Sequence, residues 1–557
     1  MRSSLLCSFF FILVATLSIH GYRPRIKQGK ETWGYVSVRE GAHMFFWLYY
    51  TTADVDYKQR PLVIWLQGGP GGSSTGVGNF LEIGPQDPQL NNRTSAWTKE
   101  VNILFVDNPV GTGFSYVDDV KLLTRNNTAI AVDLVEFMKG FFKKVPEFQG
   151  VPIYVFAESY GGKMAVQFAQ SLNKAIQQKK ITCQLAGVAL GDSWVSPVDA
   201  VLSWGPYLHS VSLVDSIGLK KVNSKAQEVA NAVKAGKMGD ATKLWSEAEE
   251  VVENVTNGVN FYNILNHDKD DARSNHISHQ REHTFTSPQI AHEHKMRKHK
   301  EKTQKDSHRE SKRHEDHYSR IHARSTNGDR GSHKGDDKQK KSEKKVQRRP
   351  NIIRDHVHGR EGKHSASRHY ITNVIYRVEE REHRNPHRKP HISLPHNLEL
   401  LYKRHVESVS SVLDKLMNGP IRDKLKVIPK NVTWGGQSAQ VFEALSDDFM
   451  TSAVQNVEVL LNTTSMAVVV YNGQLDLIVD TPGVEKWVEG MKWAGTSHWI
   501  SAARKPIESS AGVTEAFSKN FKNFTFYWIL KAGHMVPADA GDIAMKVMKE
   551  IVGVKDH

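Results

Sequence analysis

Residues 267–390 cannot supply a hydrophobic core, and this limits the fold more than any single motif does. The stretch holds 32 Lys and Arg against 19 Asp and Glu, and it carries 18 of the 27 His in the chain. Between residues 266 and 349 apolar side chains recur at neither helical nor strand spacing. A segment this poor in apolar surface cannot offset the entropy of ordering, so a long disordered insertion is predicted. Whatever folds is then assembled from the flanks, across an interruption that a surface loop tolerates because closure entropy grows only with the logarithm of length. The net charge divides at the same boundaries: of the formal +14, the insertion accounts for +13 and the other 433 residues for +1. A protein basic throughout its fold, of the kind that binds nucleic acid, is excluded.

The ends and the cysteines point to a compartment. Arg2 precedes an apolar run over residues 5–17, followed by Ser18 and Gly21. The run is too short for a membrane span and reads as a secretory signal peptide over 1–21. No later stretch approaches the roughly 18 apolar residues that a span needs, so no membrane partner is expected. The expected location is the secretory pathway, with the protein secreted or lysosomal. Cys7 leaves with the signal, and Cys183 alone cannot close an intrachain disulfide. Cys183 reads as a buried small hydrophobe, since no basic neighbour or helix start lies beside it. Sequons begin at Asn92, Asn126, Asn254, Asn431, Asn462 and Asn523, all outside the basic segment, as in a glycosylated lumenal protein.

Strand patterns occupy residues 42–50, 61–66, 102–106 and 152–156, short apolar or alternating runs bounded by Gly, Pro and Asn. Between the last two, residues 129–142 place Ile130, Leu134, Phe137 and Phe141 at helical spacing, which predicts a crossover helix between parallel strands. A second helix starts at Gly161-Gly162 and runs through Leu172, and residues 185–190 return as a strand. Residues 200–265 carry only helical periods, and the sheet pattern resumes only at 466–471 and 524–530. The expected organisation is an α/β core over 22–199 and 461–557 with a mixed, mostly parallel sheet. A helical cap over 200–266 and 391–460 is split by the insertion at 267–390.

Chemistry enters at the end of the strand at 152–156, where Ala157-Glu158-Ser159-Tyr160-Gly161-Gly162 leads into a helix. A Ser on a tight strand-to-helix turn exposes its hydroxyl above the sheet, and small residues two before and two after let the backbone turn. This is a nucleophile elbow with Ala157 at the first small position. In the α/β-hydrolase order the acid and base follow, each in a loop after a later strand. Asp476 follows residues 466–471, and His534 follows residues 524–530. Asp480 and Asp192 are rival acids that also suit loop or cap roles. The run Gln67-Gly68-Gly69-Pro70-Gly71-Gly72-Ser73-Ser74 follows the strand at 61–66. Glycines there let backbone N–H groups approach a substrate, so Gly69 and Tyr160 are the candidate oxyanion donors.

These pieces together resemble the serine carboxypeptidases. The likeness rests on Trp65-Leu66-Gln67-Gly68-Gly69-Pro70-Gly71, Asn102-Ile103-Leu104-Phe105-Val106-Asp107 and Pro109-Val110-Gly111-Thr112-Gly113-Phe114-Ser115-Tyr116. It continues in Glu158-Ser159-Tyr160-Gly161-Gly162, Gly191-Asp192 and Gly533-His534-Met535-Val536-Pro537. The resemblance implies an α/β-hydrolase fold, Ser159 as nucleophile, His534 as base and then acid, and Asp476 orienting the imidazole. It also implies that Gln67 and Glu158 bind the terminal carboxylate of a peptide. Two carboxylates share a hydrogen bond only if one is protonated, so acidic pH is expected to favour the reaction. The chain departs from the family pattern where Gln67 replaces the usual Asn and where Gly72 stands in place of a Cys that many members have. Packing is expected to hold that loop instead of a disulfide.

The expected activity is removal of C-terminal residues from peptides through an acyl-enzyme, with no cofactor and no metal. Alternatives are a secreted binding protein built on a hydrolase scaffold, and an esterase or acyltransferase using the same triad. For the insertion, the readings are a solvated disordered segment, a linker processed at Lys340-Lys341, Lys344-Lys345 or Arg348-Arg349, and a tract that binds acidic glycans or, through His292-Glu293-His294 and His356-Val357-His358, a weakly held metal.

Overall fold

The computed structural model describes residues 29–267 and 412–555. The expected signal peptide, residues 268–390 of the insertion with its dibasic and His-x-His runs, and residues 391–411 of the expected second cap part lie outside the described residues.

The strands are β1 (Glu31–Arg39), β2 (Ala42–Tyr49), β3 (Leu62–Leu66), β4 (Asn102–Val106), β5 (Tyr116–Val117), β6 (Pro152–Ser159), β7 (Gln184–Ser193), β8 (Ala467–Gly473), β9 (Lys505–Glu508), β10 (Thr514–Phe521) and β11 (Phe524–Ile529). They form a single sheet in the order β1-β2-β4-β3-β6-β7-β8-β11-β10-β9, with β5 paired to β2. The pairs from β4 through β11 are parallel. Antiparallel strands extend both edges. β3 and β4 are buried at every position, as expected for parallel strands covered on both faces.

The pleat sorts alternate side chains to two cores. Leu62, Ile64 and Leu66 of β3 enter one, and Val63 and Trp65 enter the other. The first core is roofed by α1 (Asn127–Lys144) and α2 (Tyr160–Gln177). α1 follows Asn126, whose side chain accepts from Ala129 N, and turns Ile130, Leu134, Phe137 and Phe141 inward. Each such fully buried side chain contributes about 1.5–3 kcal/mol. The helices α3 (Pro197–Ser210), α4 (Ser216–Lys234) and α5 (Met238–Thr256) fill the segment before the insertion. On the other face Phe80 and Ile83 of the helix Ser74–Ile83, Leu416 and Met417, and Val547 and Met548 near the C-terminus close the second core.

The inner strands and the first two helices lie where periodicity places them, while the edges differ. The sheet does not resume only at 466–471 and 524–530, because β9 and β10 pair beside β11. β10 reads TEAFSKNF and buries only Ala516 fully. A strand whose side chains are mostly only partly buried needs no apolar run, so periodicity has little to detect. The helix Ser74–Ile83 is likewise masked by Gly76 and Gly78. A Cβ on Gly78 would collide with the Trp65 indole, so glycine is required there by packing.

Candidate active site

Ser159 ends β6 and precedes α2 with φ +59° and ψ −130°, a left-handed conformation that a non-glycine residue adopts only where its surroundings enforce it. The enforcement is steric. A side chain on Gly161 would strike the Leu66 carbonyl, and one on Gly162 would strike Ser193. A Cβ on Gly68 would lie 2.5 Å from Ser159 Cβ and 2.8 Å from Tyr160 N, so the glycine loop after β3 runs directly against the elbow. The Ser159 side chain does not cap α2, which leaves its hydroxyl uncommitted to the helix.

Asp476 and His534 lie in the loops after β8 and β11, at the carboxyl edge of the sheet. His534 Nδ1 and Asp476 Oδ2 are 2.8 Å apart, and both residues are buried. The other Asp476 oxygen accepts from Val479 N at 3.1 Å, which fixes the carboxylate plane. An ionised Asp476 accepts from Nδ1–H and so selects the tautomer with Nε2 unprotonated. Residues just before the insertion tie the two loops together. Tyr262 O accepts from His534 N at 2.7 Å, Phe261 O accepts from Leu477 N at 3.1 Å, and the Tyr262 ring stands perpendicular to the imidazole at 4.9 Å.

The two rival acids are engaged elsewhere. Asp480 caps α6 (Thr481–Glu489), accepting from Gly483 N at 2.9 Å and from Ser203 Oγ at 2.8 Å. Asp192 accepts from Gly473 N at 2.7 Å. It lies near the pair, in that polar atoms of Asp192, Asp476 and His534 all fall within 4.8 Å of one another.

Beside the elbow, Gln67 Nε2 donates to Glu158 Oε1 at 2.6 Å while Gln67 Oε1 accepts from Trp65 Nε1 at 2.7 Å. Both residues are nearly inaccessible. Glu82, on the helix Ser74–Ile83, completes the cluster and was signalled by no motif. Burial, followed by the Glu82 charge and a hydrogen bond to Glu82, pushes the Glu158 carboxyl well above the usual range. Burial likewise pushes Glu82 up. With both ionised, neither Glu82 oxygen has a donor. One retained proton between the two supplies it.

The loop around Gly72 is held by backbone and side-chain hydrogen bonds rather than by packing alone. Gly72 bridges to Gln437, Ser73 N donates to Gly436 O at 3.0 Å, Ser438 N donates to Gly71 O at 2.9 Å, and Gln437 Nε2 donates to Pro70 O at 2.6 Å. Gly69 adopts φ +107° in this loop, and a Cβ there would meet the Gln437 amide. Cys183 is half-buried and free among the described residues, and burial pushes its thiol up to about 11.

Of the sequon residues, Asn92, Asn126, Asn254, Asn431 and Asn462 are exposed and Asn523 is half-buried. Asn462 Nδ2 donates to the carbonyls of Glu458 and Lys492, and Asn523 Nδ2 to those of Thr464 and Met466. Among the described residues no helix is long and apolar enough to cross a membrane.

A family model described as serine carboxypeptidase, peptidase S10, matches residues 23–325 and 300–553. The chain is 41% identical over 529 residues to retinoid-inducible serine carboxypeptidase of Rattus norvegicus, covering 94% of this chain and 92% of that one. It is 35% identical over 528 residues to serine carboxypeptidase-like 51 of Arabidopsis thaliana, with 94% and 92% covered. Among solved structures it is similar to Kex1(delta)p, a prohormone-processing carboxypeptidase from Saccharomyces cerevisiae, with TM-score 0.63, 18% identity and coverage of 94% and 91%. That likeness identifies the α/β-hydrolase fold, and the sequence matches over almost the whole length establish the rest: the chain belongs to the serine carboxypeptidase family.

Proposed function

We propose that this protein is an acid-favoured serine carboxypeptidase in which Ser159, His534 and Asp476 act as the triad and Gln67, Glu158 and Glu82 receive the free carboxylate of a peptide. The observation that carries the reading is the 2.8 Å contact of His534 Nδ1 with Asp476, in loops at the same carboxyl edge of the parallel sheet as the left-handed Ser159 elbow. In this reading Ser159 Oγ attacks the carbonyl of the last peptide bond as His534 Nε2 takes its proton. The N–H groups of Gly69 and Tyr160 hold the oxyanion. His534 then gives the proton to the leaving amine, the C–N bond breaks, and the C-terminal amino acid departs. Water activated by His534 hydrolyses the acyl-enzyme, and Asp476 stabilises the imidazolium in both halves.

Peptide substrates follow from family membership. The buried carboxyls favour a free C-terminus over an ester or an internal bond, because a neutral acid beside Gln67 is a donor suited to a carboxylate. In a secretory or lysosomal setting, Asn92, Asn126, Asn254 and Asn431 are the sequons best placed to carry glycans. Asn462 and Asn523 would first have to surrender amide hydrogen bonds. The test is hydrolysis of a blocked dipeptide at pH 5, alongside labelling by a fluorophosphonate. Ser159→Ala is expected to abolish both, and undiminished turnover in that variant would overturn the proposal.

A further inference from the structure

The acid side of the site holds more carboxyl groups than it can ionise. Glu82, Asp192, Asp476 and Asp480 are fully buried, Glu158 nearly so, and His534 is the one group beside them that gains positive charge during the reaction. Asp192 is the member without an assignment. Its backbone sits at φ +42°, a conformation that side chains other than Asn and Asp seldom adopt. One of its oxygens accepts from Gly473 N at 2.7 Å, in the strand end that leads to Asp476. Its second oxygen is buried and has no donor. Two buried carboxylates within 4.8 Å of each other cannot both remain ionised at small cost. Asp476 is the one paired with the imidazole, so the proton belongs on Asp192.

We propose that Asp192 is a positioning residue: a neutral carboxyl that donates a hydrogen bond to Asp476 through the oxygen that otherwise has no partner. The Gly473 amide and this hydroxyl fix Asp192 between the ends of β7 and β8. With Val479 N on one oxygen and His534 on the other, Asp476 is then restrained from three sides. A donor on Asp476 also lowers its affinity for the imidazolium proton, so His534 releases that proton readily to a leaving amine. The direction agrees with the electrostatics, since burial and then the Asp476 charge push the Asp192 carboxyl well above its ordinary range, against the Gly473 hydrogen bond. Besides His534, the other titratable groups that act on this pair or are acted on by it are Glu82, Glu158, Asp480, Tyr207, Tyr262 and Tyr471. None of them is a cation that would hold Asp192 ionised.

The inference rests on Asp476 and His534 being the catalytic dyad, and Asp476→Ala in parallel separates the two ideas. If that variant keeps full activity, the triad reading fails and the role of Asp192 falls with it. The measurement on the full chain is kcat and KM against pH for a blocked dipeptide in Asp192→Asn and Asp192→Gly, both compatible with the left-handed backbone. Asn keeps a donor towards Asp476, so the acid limb of kcat/KM is expected to move by less than about half a pH unit. Gly removes the donor. It is expected to lower kcat about tenfold or more with little change in KM, and to move the acid limb to higher pH as the imidazolium becomes harder to deprotonate. If Asp192 were ionised, Asn would delete a negative charge and move the limb to lower pH by about a unit or more, and that result overturns the proposal. A folded Gly variant with unchanged kcat and limb does so too. Should the Gly variant fail to fold, the direction of the Asn shift still decides.

Discussion

If Glu82 and Glu158 together receive the substrate carboxylate, the pH dependence of the enzyme is set by a pair of acids, and replacing both by Gln should remove it. Both carboxyls are buried, Glu158 is pushed well above its ordinary range, and Glu82 is pushed up to about 7. Below that value both are neutral and offer donors to an incoming carboxylate. Above it one is ionised, and the substrate meets a like charge within hydrogen-bonding range. At an effective dielectric of about 20 that repulsion is on the order of 3–4 kcal/mol, more than a hundredfold in binding, so the ionised pair is effectively closed to a free C-terminus. kcat/KM is then proportional to the protonated fraction and falls about tenfold per pH unit above about 7. Glu82→Gln with Glu158→Gln keeps neutral donors of nearly the same shape while removing both titrations. At pH 5 this double variant is expected to stay within about tenfold of the parent, the cost of one or two altered hydrogen bonds. From pH 6 to 8.5 its profile is expected to be flat. The assay is kcat/KM for a blocked dipeptide, repeated in the parent with the same peptide as its C-terminal amide, which lacks the charge and should lose the alkaline fall. A tenfold-per-unit decline surviving in the double variant, or an equal decline with the amide, would refute the reasoning.

The join between the two flanks of the insertion offers a stability test. Lys163, one turn into α2 and 1% exposed, meets Asp448 at 3.2 Å and donates to the Asp448 carbonyl at 2.6 Å and to Thr451 Oγ1 at 3.0 Å. Asp448 also accepts from the Tyr160 hydroxyl at 2.7 Å. Asp448→Ala leaves a buried ammonium unpaired and is expected to cost about 3 kcal/mol or more, read as a fall in the urea midpoint. A change under about 0.5 kcal/mol would show that the pair is not coupled to folding. Gly68→Ala tests the close approach of loop and elbow. Its methyl would press on Ser159 Cβ and Tyr160 N, so kcat is expected to drop at least a hundredfold while the far-ultraviolet circular dichroism is kept. Unaltered turnover would separate the loop from the reaction.

What the sequence discloses and what it hides follow from how local each signal is. β3, β4, β6 and β8 are legible because a strand buried on both faces must be apolar throughout its length. α1 and α2 are legible because one buried stripe imposes a 3.6-residue period. The elbow is legible because a left-handed Ser between strand and helix needs small neighbours within two residues. β1 and β9 are the edge strands and β10 lies next to an edge, and their partly exposed positions accept Thr, Lys and Asn, so no period forms. The choice among Asp192, Asp476 and Asp480 is not local either. Each is an acid at or beyond the end of a strand, and only the contact with a histidine 58 residues away in sequence singles out Asp476. Glu82 and Tyr262 belong to the same class, since their meaning comes wholly from partners on other elements.

One of those hidden contacts explains how a hydrolase tolerates the basic segment. The chain entering it touches the site through Tyr262 and Phe261, which hold the His534 and Asp476 loops. The chain leaving it returns to the site through Gln437 on the glycine loop and Asp448 on the first turn of α2. Both flanks are thus anchored on the elements that carry the proposed triad. Once the ends of an insertion are fixed, doubling its length costs only about 0.6 kcal/mol of closure entropy. On the reading of residues 267–390 as a loop insertion, its length is expected to put little load on the proposed triad. What the fold cannot lose is the pair of anchors, which is why Asp448→Ala is expected to be felt where changes in the length of the insertion are not.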